Sequence, residues 1–390
     1  MDALGTADVA VLGAGAIGLL SALRLRQAGL SVTLVDRGAP GQEASHAAGG
    51  ILGAQMEGHE PGPLFELGLR SRELHVGLAQ ELRELSGIDV ERQTCGMLEL
   101  AFDEARRGEL AQWGAWQRAL GLRAEQLDAA QVQELGGPPS ALAGLWFPDD
   151  GQVENRKLCE ALRVACERAG VRIVRAEVER LECARGPGAG ARLEEGGRLE
   201  EGGRLEAVWL RVGEEQTRLS AERAVLALGS WSSLLPGDPK ALQADAVRPV
   251  RGQIIVLRPA RAPFTCVMGD HLGYAIPRLD GRVLVGATVE EAGFDKRVTA
   301  QGLAQLLSSA VRLSPLLAQA PLVDHWAGLR PASRDRLPRL GPCAIEGVTV
   351  ATAHYRSGIL LTAITGRLVA QLVTGQPVEV DLAPFDPRRS

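Results

Sequence analysis

The range of folds open to this chain is limited first by residues 8–37, DVAVLGAGAIGLLSALRLRQAGLSVTLVDR. An apolar run leads into three glycines at G-x-G-x-x-G spacing, an apolar-periodic segment follows, and a second β-type run ends in Asp36. Gly13 makes a tight turn, Gly15 lets the backbone approach a pyrophosphate, and Gly18 lets a helix pack closely on the sheet. This order of strand, glycine turn, helix, strand and acid predicts a dinucleotide-binding βαβ unit.

The kind of dinucleotide is only partly determined by this stretch. A pyrophosphate would lie at the helix N-terminus, where unpaired N–H groups and the helix dipole favour negative charge. The carboxylate of Asp36 can accept hydrogen bonds from an adenosine ribose diol, which argues against the 2′-phosphate of NADP, although Arg37 weakens that argument. Two alternatives stay open: NAD in place of FAD, and a βαβ turn that binds no phosphate.

Composition excludes several classes of protein. With 390 residues, 45% of them hydrophobic, the chain is long enough for two globular domains. A net charge of −5 gives no electrostatic footprint for nucleic acid. The apolar N-terminal window, residues 9–23, is glycine-rich and lacks a basic n-region, so we expect neither a signal peptide nor a membrane span, and a cytoplasmic location. The six cysteines form no C-x-x-C pair and the six histidines no ligand-spaced cluster, so we expect free thiols and no metal.

The order of elements predicts an α/β fold. An amphipathic helix at 63–87, a helix-then-strand pattern at 153–174 and a strand at 222–231 that ends near Gly229 fit a nucleotide-binding domain, whereas strands at 253–259, 274–278 and 282–289 fit an antiparallel sheet. A tandem RLEEGG repeat at 192–203 is most simply a duplicated surface loop. We therefore predict a Rossmann-like domain and a second, α+β substrate domain built on an antiparallel sheet; the first comprises residues 1–87, 145–235 and 321–390, and the second 88–144 and 236–320.

Four further features are candidate parts of a site. The small-residue stretch 38–57 is either a flexible connector or backbone that lies against a flat ligand, with Ser45 as a hydrogen-bonding hydroxyl; its position after the adenosine-binding strand favours the ligand. Tyr274 heads a strand of the substrate sheet, where it is either a half-buried aromatic or a hydroxyl in a cavity. Arg330 and Arg356 lie in apolar, glycine-flanked surroundings, where each guanidinium needs a structural or a ligand carboxylate.

Five segments of the chain resemble the FAD-dependent amine oxidases of the D-amino-acid oxidase superfamily, and within it the glycine oxidases of thiamine biosynthesis. They are VLGAGAIGLLSALRL, ASHAAGGILGAQME, YAIPR with GRVLVGAT, HWAGLRP, and HYRSGILLTAITG. The resemblance implies FAD bound without a covalent link. It also implies hydride transfer from a small amino acid to the flavin, giving an imine and then glyoxylate and ammonia, with oxygen reduced to hydrogen peroxide.

The resemblance also implies roles for individual residues. Arg330 should pair with the substrate carboxylate, Tyr274 should hydrogen-bond the same end, and Arg356 should lie close to the amine end. Two positions depart from the family pattern: Asp36 replaces the usual glutamate, and Val289 replaces an expected methionine. The positions assigned to FAD are Gly13, Gly15, Ala16, Ile17, Gly18, Asp36, Arg37, Ala44, Ser45, Gly49, Gly50, Ile51, Val178, Gly229, His354, Tyr355, Arg356, Ser357, Gly358, Ile359 and Leu360.

Several functions compete with glycine oxidation. A sarcosine or D-amino-acid oxidase, or a dehydrogenase that passes electrons to a quinone, would use the same scaffold. A tRNA-modifying flavoenzyme is disfavoured because the chain has no basic stripe, and an NAD-dependent dehydrogenase would be colourless. The expected partners are therefore a small amino acid and molecular oxygen, with no nucleic acid and no membrane; a homo-oligomer stays open.

Overall fold

The computed structural model of the chain describes residues 4–184, 203–235 and 247–389, so residues 192–202 of the tandem repeat lie outside the described part. The α-helices in the described ranges are α1 (Ala16–Gln27), α2 (Ala44–Ala47), α3 (Pro63–Ser86), α4 (Glu104–Ala119), α5 (Ala129–Glu134), α6 (Asn155–Arg168), α7 (Ala300–Leu313) and α8 (Gly358–Thr374). The strands are β1 (Val9–Leu12), β2 (Val32–Asp36), β3 (Ile51–Leu52), β4 (Met97–Ala101), β5 (Glu125–Asp128), β6 (Ala143–Phe147), β7 (Gly151–Gln152), β8 (Arg172–Arg175), β9 (Glu177–Ala184), β10 (Arg204–Val212), β11 (Glu215–Ser220), β12 (Ala224–Leu226), β13 (Arg248–Leu257), β14 (Val267–Asp270), β15 (Gly273–Pro277), β16 (Val283–Gly286), β17 (Leu322–Ala332), β18 (Arg339–Pro342) and β19 (Val348–Thr352).

A six-stranded sheet has the order β18-β19-β12-β1-β2-β8, in which β18 alone runs antiparallel to its neighbour. Its central strands β1 and β12 are short apolar runs with every residue buried, because helices cover one face of the sheet and the three-stranded sheet β11-β10-β9 packs on the other. The βαβ unit predicted from residues 8–37 is thus confirmed as β1, α1 and β2, and the α/β fold with it.

An eight-stranded, mostly antiparallel sheet has the order β17-β13-β16-β15-β14-β4-β6-β5. Asp280 and Gly281 lie in the turn that connects β15 to β16. Strand β17, which lies in the range 321–390 that the sequence analysis assigned to the nucleotide-binding domain, pairs with β13 of this sheet along its whole length. The division of the chain into two discontinuous domains stays a prediction.

The last helix is the core helix of the six-stranded side. The segment Tyr355–Thr374 is long and apolar enough to cross a membrane, but 56% of it is buried inside the protein. It packs against α1 so closely that a Cβ on Gly366 would lie 2.6 Å from Cγ of Leu20. Burial against α1 therefore accounts for its apolar composition.

Helix α1 is pressed onto its own phosphate turn at Gly18. A Cβ there would lie 1.8 Å from the carbonyl oxygen of Gly13 and 3.3 Å from Cβ of Ala227. We expect Gly18→Ala to lower the free energy of unfolding by on the order of 3 kcal/mol, because backbone cannot move aside as a flexible side chain can. Urea unfolding of the flavin-free protein measures this effect. Gly77→Ala is the matched control, since Gly77 lies in α3 with open space around it; equal stability of the two variants would contradict the prediction.

Candidate functional site

A cavity of about 680 Å³ is bounded by the phosphate turn, the loop after β2, one face of the eight-stranded sheet and the turn into α8. This volume lies within the usual range for a small-molecule or cofactor site. Of the residues that the sequence assigned to FAD or substrate, Gly18 is the one that does not line it. The close contacts of Gly18 with the Gly13 carbonyl and with Ala227 match the packing role deduced from its spacing, and its contact with a cofactor stays a prediction.

The phosphate turn places bare backbone at the start of α1. Gly13 has φ +104°, and a Cβ on it would lie 2.3 Å from the carbonyl oxygen of Ala227. Gly15 precedes α1 and brings no side chain to cap it. The Ser45 hydroxyl accepts a hydrogen bond from the backbone N–H of Ala16 at 3.0 Å. The helix N-terminus thus opens into the cavity through glycine, as a pyrophosphate site requires.

Asp36, at the end of β2, is held in a fixed orientation. Its carboxylate accepts hydrogen bonds from the backbone N–H groups of Ala14 at 2.7 Å and Gly38 at 2.8 Å. The guanidinium of Arg37 stacks over the Trp231 ring at 4.2 Å and pairs with Glu43 at 3.3 Å. Because Arg37 already contacts Trp231 and Glu43, its guanidinium is not free to bind a 2′-phosphate.

The small-residue loop after β2 is fixed backbone. Asn155 donates to the carbonyl of Ser45 at 2.7 Å, and Arg278 donates to the carbonyl of Gly49 at 2.8 Å. Gly50 has φ +72°, and a Cβ there would lie 2.0 Å from the carbonyl oxygen of Val153. These contacts favour the ligand-facing interpretation of this loop over the flexible connector, since a connector would not be tied down by buried side chains.

The turn into α8 is the opposite wall of the cavity. Ala353 and Tyr355 have φ of 60° and 46°, in the left-handed region that non-glycine residues seldom adopt. Between them the imidazole of His354 hydrogen-bonds the Thr365 hydroxyl at 3.0 Å, and burial lowers the pKa of His354 to about 4, so the ring is neutral. Helix α8 begins at Gly358 without a side-chain cap. Its N–H groups can therefore stabilise negative charge on a bound group.

Arg330 and Tyr274 lie together on the sheet face of the cavity. The guanidinium of Arg330 lies over Gly252, where a Cβ would come within 2.1 Å of Nη1, and it donates to the carbonyl of Thr288 at 3.1 Å. It also interacts electrostatically with the phenol of Tyr274, whose pKa is raised by burial. Among the residues that the structure describes, no carboxylate forms an ion pair with Arg330. Arg330 is thus a cation on the cavity wall that lacks a protein anion.

Arg356 differs, because its anion is part of the protein. Its Nε and Nη2 contact the two carboxylate oxygens of Glu57 at 3.0 Å and 3.1 Å, and this pair raises the pKa of Arg356. Sequence reasoning left open whether each arginine meets a structural or a ligand carboxylate. For Arg356 the structure gives a structural one, and Glu57 is a cavity residue that sequence reasoning missed.

Glu99 and Arg106 were also missed. Glu99 is 4% exposed on β4, and one of its oxygens accepts a hydrogen bond from Nη2 of Arg106 at 2.7 Å. Burial raises the pKa of Glu99 to about 7, an effect that Arg106 only partly offsets. A lone acid inside the apolar strand MLELA was a signal that could have been used.

The raised pKa of Glu99 predicts a pH dependence of stability. Between pH 4.5 and about 7 the unfolded chain loses this proton and the folded chain keeps it, so the free energy of unfolding falls as pH rises. We expect this group to contribute a fall of up to about 3 kcal/mol. Unfolding of wild type and Glu99→Gln, compared at pH 4.5 and pH 8, measures it: the two should be similar at the lower pH, with the variant more stable at the higher. A constant difference would contradict the assignment.

Comparison with known proteins identifies one family model and several similar chains. The family model described as "DAO: FAD dependent oxidoreductase" matches residues 8–372. A glycine oxidase from Geobacillus kaustophilus is 35% identical over 97% of this chain and 96% of its own length. The bifunctional protein ThiO/ThiG of Synechocystis sp. is 35% identical over 98% of this chain, which spans only 54% of that relative. The crystal structure of glycine oxidase from Geobacillus kaustophilus matches with a TM-score of 0.87 at 32% identity, over 99% of each chain.

Proposed function

Since the chain belongs to the DAO family of FAD-dependent oxidoreductases, we propose that it is an FAD-dependent oxidase that deaminates glycine. The products are the imine and then glyoxylate and ammonia, and molecular oxygen is reduced to hydrogen peroxide. The relatives named glycine oxidase and ThiO/ThiG support this substrate and a role in thiamine biosynthesis. Sarcosine and small D-amino acids are the further substrates that we expect.

The single observation that supports the proposal most strongly is the position of Arg330 on the cavity wall, without a carboxylate partner among the described residues. In the described ranges it has no carboxylate partner, and it lies on the cavity wall beside the Tyr274 phenol. A guanidinium in such a place is stabilised by a ligand anion, and its planar fork matches a carboxylate. Arg356 is neutralised by Glu57 and does not compete for that anion.

The residues present fit FAD. The backbone from Gly13 to Ile17 would hold the pyrophosphate and Asp36 the ribose, since a Cβ at Gly13 or Gly50 would collide with backbone that closes the cradle. The flavin ring would lie between the backbone of Gly49 and Gly50 and the turn from His354 to Leu360. Bound there, FAD supplies the redox chemistry by accepting two electrons and a proton from the substrate.

The side chains of this chain mainly bind and orient the substrate. Arg330 and Tyr274 would fix the substrate carboxylate at two points, and the Glu57–Arg356 pair would line the amine end. Hydride loss from the α-carbon needs a neutral amine but no protein acid or base at that carbon. Fixing the reacting geometry can itself contribute on the order of 7 to 11 kcal/mol of barrier reduction.

The remaining assignments follow from composition. We assign the enzyme to the cytoplasm and expect neither nucleic acid nor membrane as a partner, because the charges are mixed and the net charge is −5. Homo-oligomer formation is left to direct measurement of mass in solution.

A visible spectrum tests the cofactor and the substrate class together. The purified protein should be yellow, glycine added without oxygen should bleach it, and glycine in air should yield peroxide and glyoxylate. Parallel assays with sarcosine and D-alanine rank the substrates. A colourless protein that takes up no FAD, or a flavoprotein that none of these amino acids bleaches, would overturn the proposal.

A further inference from the structure

The cavity extends beyond the part that glycine would need. Strand pairing puts Tyr274 opposite Gly269, and Gly269 opposite Glu99, so these residues form one row on the same face of the eight-stranded sheet. Neighbouring strands are about 4.8 Å apart, so Glu99 lies about 10 Å from Tyr274 along this row. Glu99, Arg106, Met56 and His59 all line the cavity at this end.

A free carboxylate oxygen faces this end of the cavity. Oε1 of Glu99 accepts from Arg106, whereas Oε2 accepts no hydrogen bond from any described residue. Oε2 lies above Gly269, because a Cβ added to Gly269 would be 3.4 Å from it. Since Gly269 stands between Glu99 and Tyr274, Oε2 points toward the Tyr274 side of the row. The Met56 methyl group lies beside it and supplies an apolar wall. Glu99 is therefore a buried acceptor, only 4% exposed, with one oxygen unused.

The Glu57–Arg356 pair lies between the two ends. Both members act electrostatically on Tyr274, and Glu57 also acts on Glu99. If the substrate carboxylate meets Arg330 and Tyr274, its amine points toward this pair, and a group attached to the nitrogen continues toward Glu99. A chain of about three atoms beyond the nitrogen spans the remaining distance.

We propose that this end of the cavity is a subsite for the N-substituent of a secondary amino acid, and that Glu99 selects N-substituted glycines whose substituent ends in a hydrogen-bond donor, above all an ammonium group. The proposal rests on the proposed function and extends it. With N-(2-aminoethyl)glycine the balanced reaction consumes water and oxygen and yields glyoxylate, ethane-1,2-diamine and hydrogen peroxide. The bond between the nitrogen and the α-carbon breaks, and the two electrons pass to oxygen.

Three probes of similar reach test the subsite through kcat/KM at pH 8. N-(2-aminoethyl)glycine ends in a donor, N-propylglycine has the same shape without one, and iminodiacetate ends in an acceptor. In the wild type the aminoethyl compound should exceed the propyl compound by about 10-fold or more, the usual effect of a hydrogen bond to a charged group, and iminodiacetate should rank last.

Glu99→Gln should reverse this order. Arg106 can only donate, so the glutamine oxygen turns to it and the amide NH₂ faces the cavity, replacing an acceptor by a donor. The ratio of aminoethyl to propyl should fall about 10-fold, and iminodiacetate should overtake both. Glu109→Gln is the matched control, because Glu109 is the other partner of Arg106 but lies 65% exposed and outside the cavity lining; this variant should keep the wild-type order.

The outcomes separate the subsite from the proposed function. If the wild type oxidises glycine but turns over the propyl compound as well as the aminoethyl one, or neither, the subsite is wrong and the proposed function stands. If Glu99→Gln keeps the wild-type order, Glu99 does not select. Failure to oxidise glycine as well would overturn the proposed function and the subsite together.

Discussion

Arg330→Ala should lower kcat/KM for glycine about a thousandfold while the purified protein stays yellow. The substrate carboxylate would lose a two-point charged contact in a partly buried site, where truncation of one partner costs 2 to 5 kcal/mol or more. Both KM and kcat should change, because the same contact sets the angle of the α-carbon. Steady-state peroxide formation and the visible spectrum of the same sample measure the two effects.

Two further variants test whether the effect of Arg330→Ala is specific to this guanidinium. Arg330→Lys keeps the charge but loses the planar fork, so its kcat/KM should fall between those of wild type and the alanine variant. Arg258→Ala should match wild type, since within the described residues the side chain of Arg258 donates a hydrogen bond only to the Asp280 carbonyl, at 3.4 Å, and does not line the cavity. Near-normal glycine turnover by Arg330→Ala would remove Arg330 from the site.

Gly15→Val should fold but purify largely without FAD, with the dissociation constant raised by on the order of a hundredfold. A Cβ at Gly15 meets only the Ser45 hydroxyl, at 3.2 Å, so the packing can adjust. The added methyl groups would then lie at the open start of α1, where they would displace the pyrophosphate from the backbone N–H groups. Loss of such charged hydrogen bonds at 1.5 to 3 kcal/mol each accounts for the size of the effect.

Flavin titration of apoprotein measures the Gly15→Val effect, and circular dichroism of the same apoprotein checks the fold. Gly77→Val is the matched control because it makes the same exchange at a helix glycine with open space around it, in α3. Full FAD content in Gly15→Val would show that the backbone at this position does not contact the cofactor.

The succession of local patterns along the sequence was sufficient to predict the first βαβ unit of the nucleotide-binding part of the fold. In residues 8–37 the strand, the glycine turn, the helix and the second strand follow one another without interruption, so their spacing fixes their packing. The positive φ of Gly13 and the close contact at Gly18 were both deducible from spacing. The substrate end was different: the sequence left two interpretations open for both Arg330 and Tyr274, and only the resemblance to a family gave them a common role, because no spacing links two residues on separate strands.

Contacts between distant segments were beyond sequence reasoning. Glu57 and Arg356 are 299 positions apart, and neither carries a signal for the other. Strand β17 was not predicted from the sequence, and its pairing with β13 depends on the path of the chain between them. Glu99 has its role because β14 and β15 put Gly269 and Tyr274 beside it. The burial and ion pairing that define this site therefore arise only when the strands have assembled into the sheet.

The cavity wall is made of residues that range from Gly13 in the first βαβ unit to Leu360 in the first turn of the last helix. During synthesis on the ribosome, the glycine turn is therefore complete long before the opposite wall exists. A nascent chain that lacks α8 has no enclosed place for a flavin ring, however well its first hundred or so residues have folded. The cavity can accordingly enclose a flavin ring only after α8 has been synthesised.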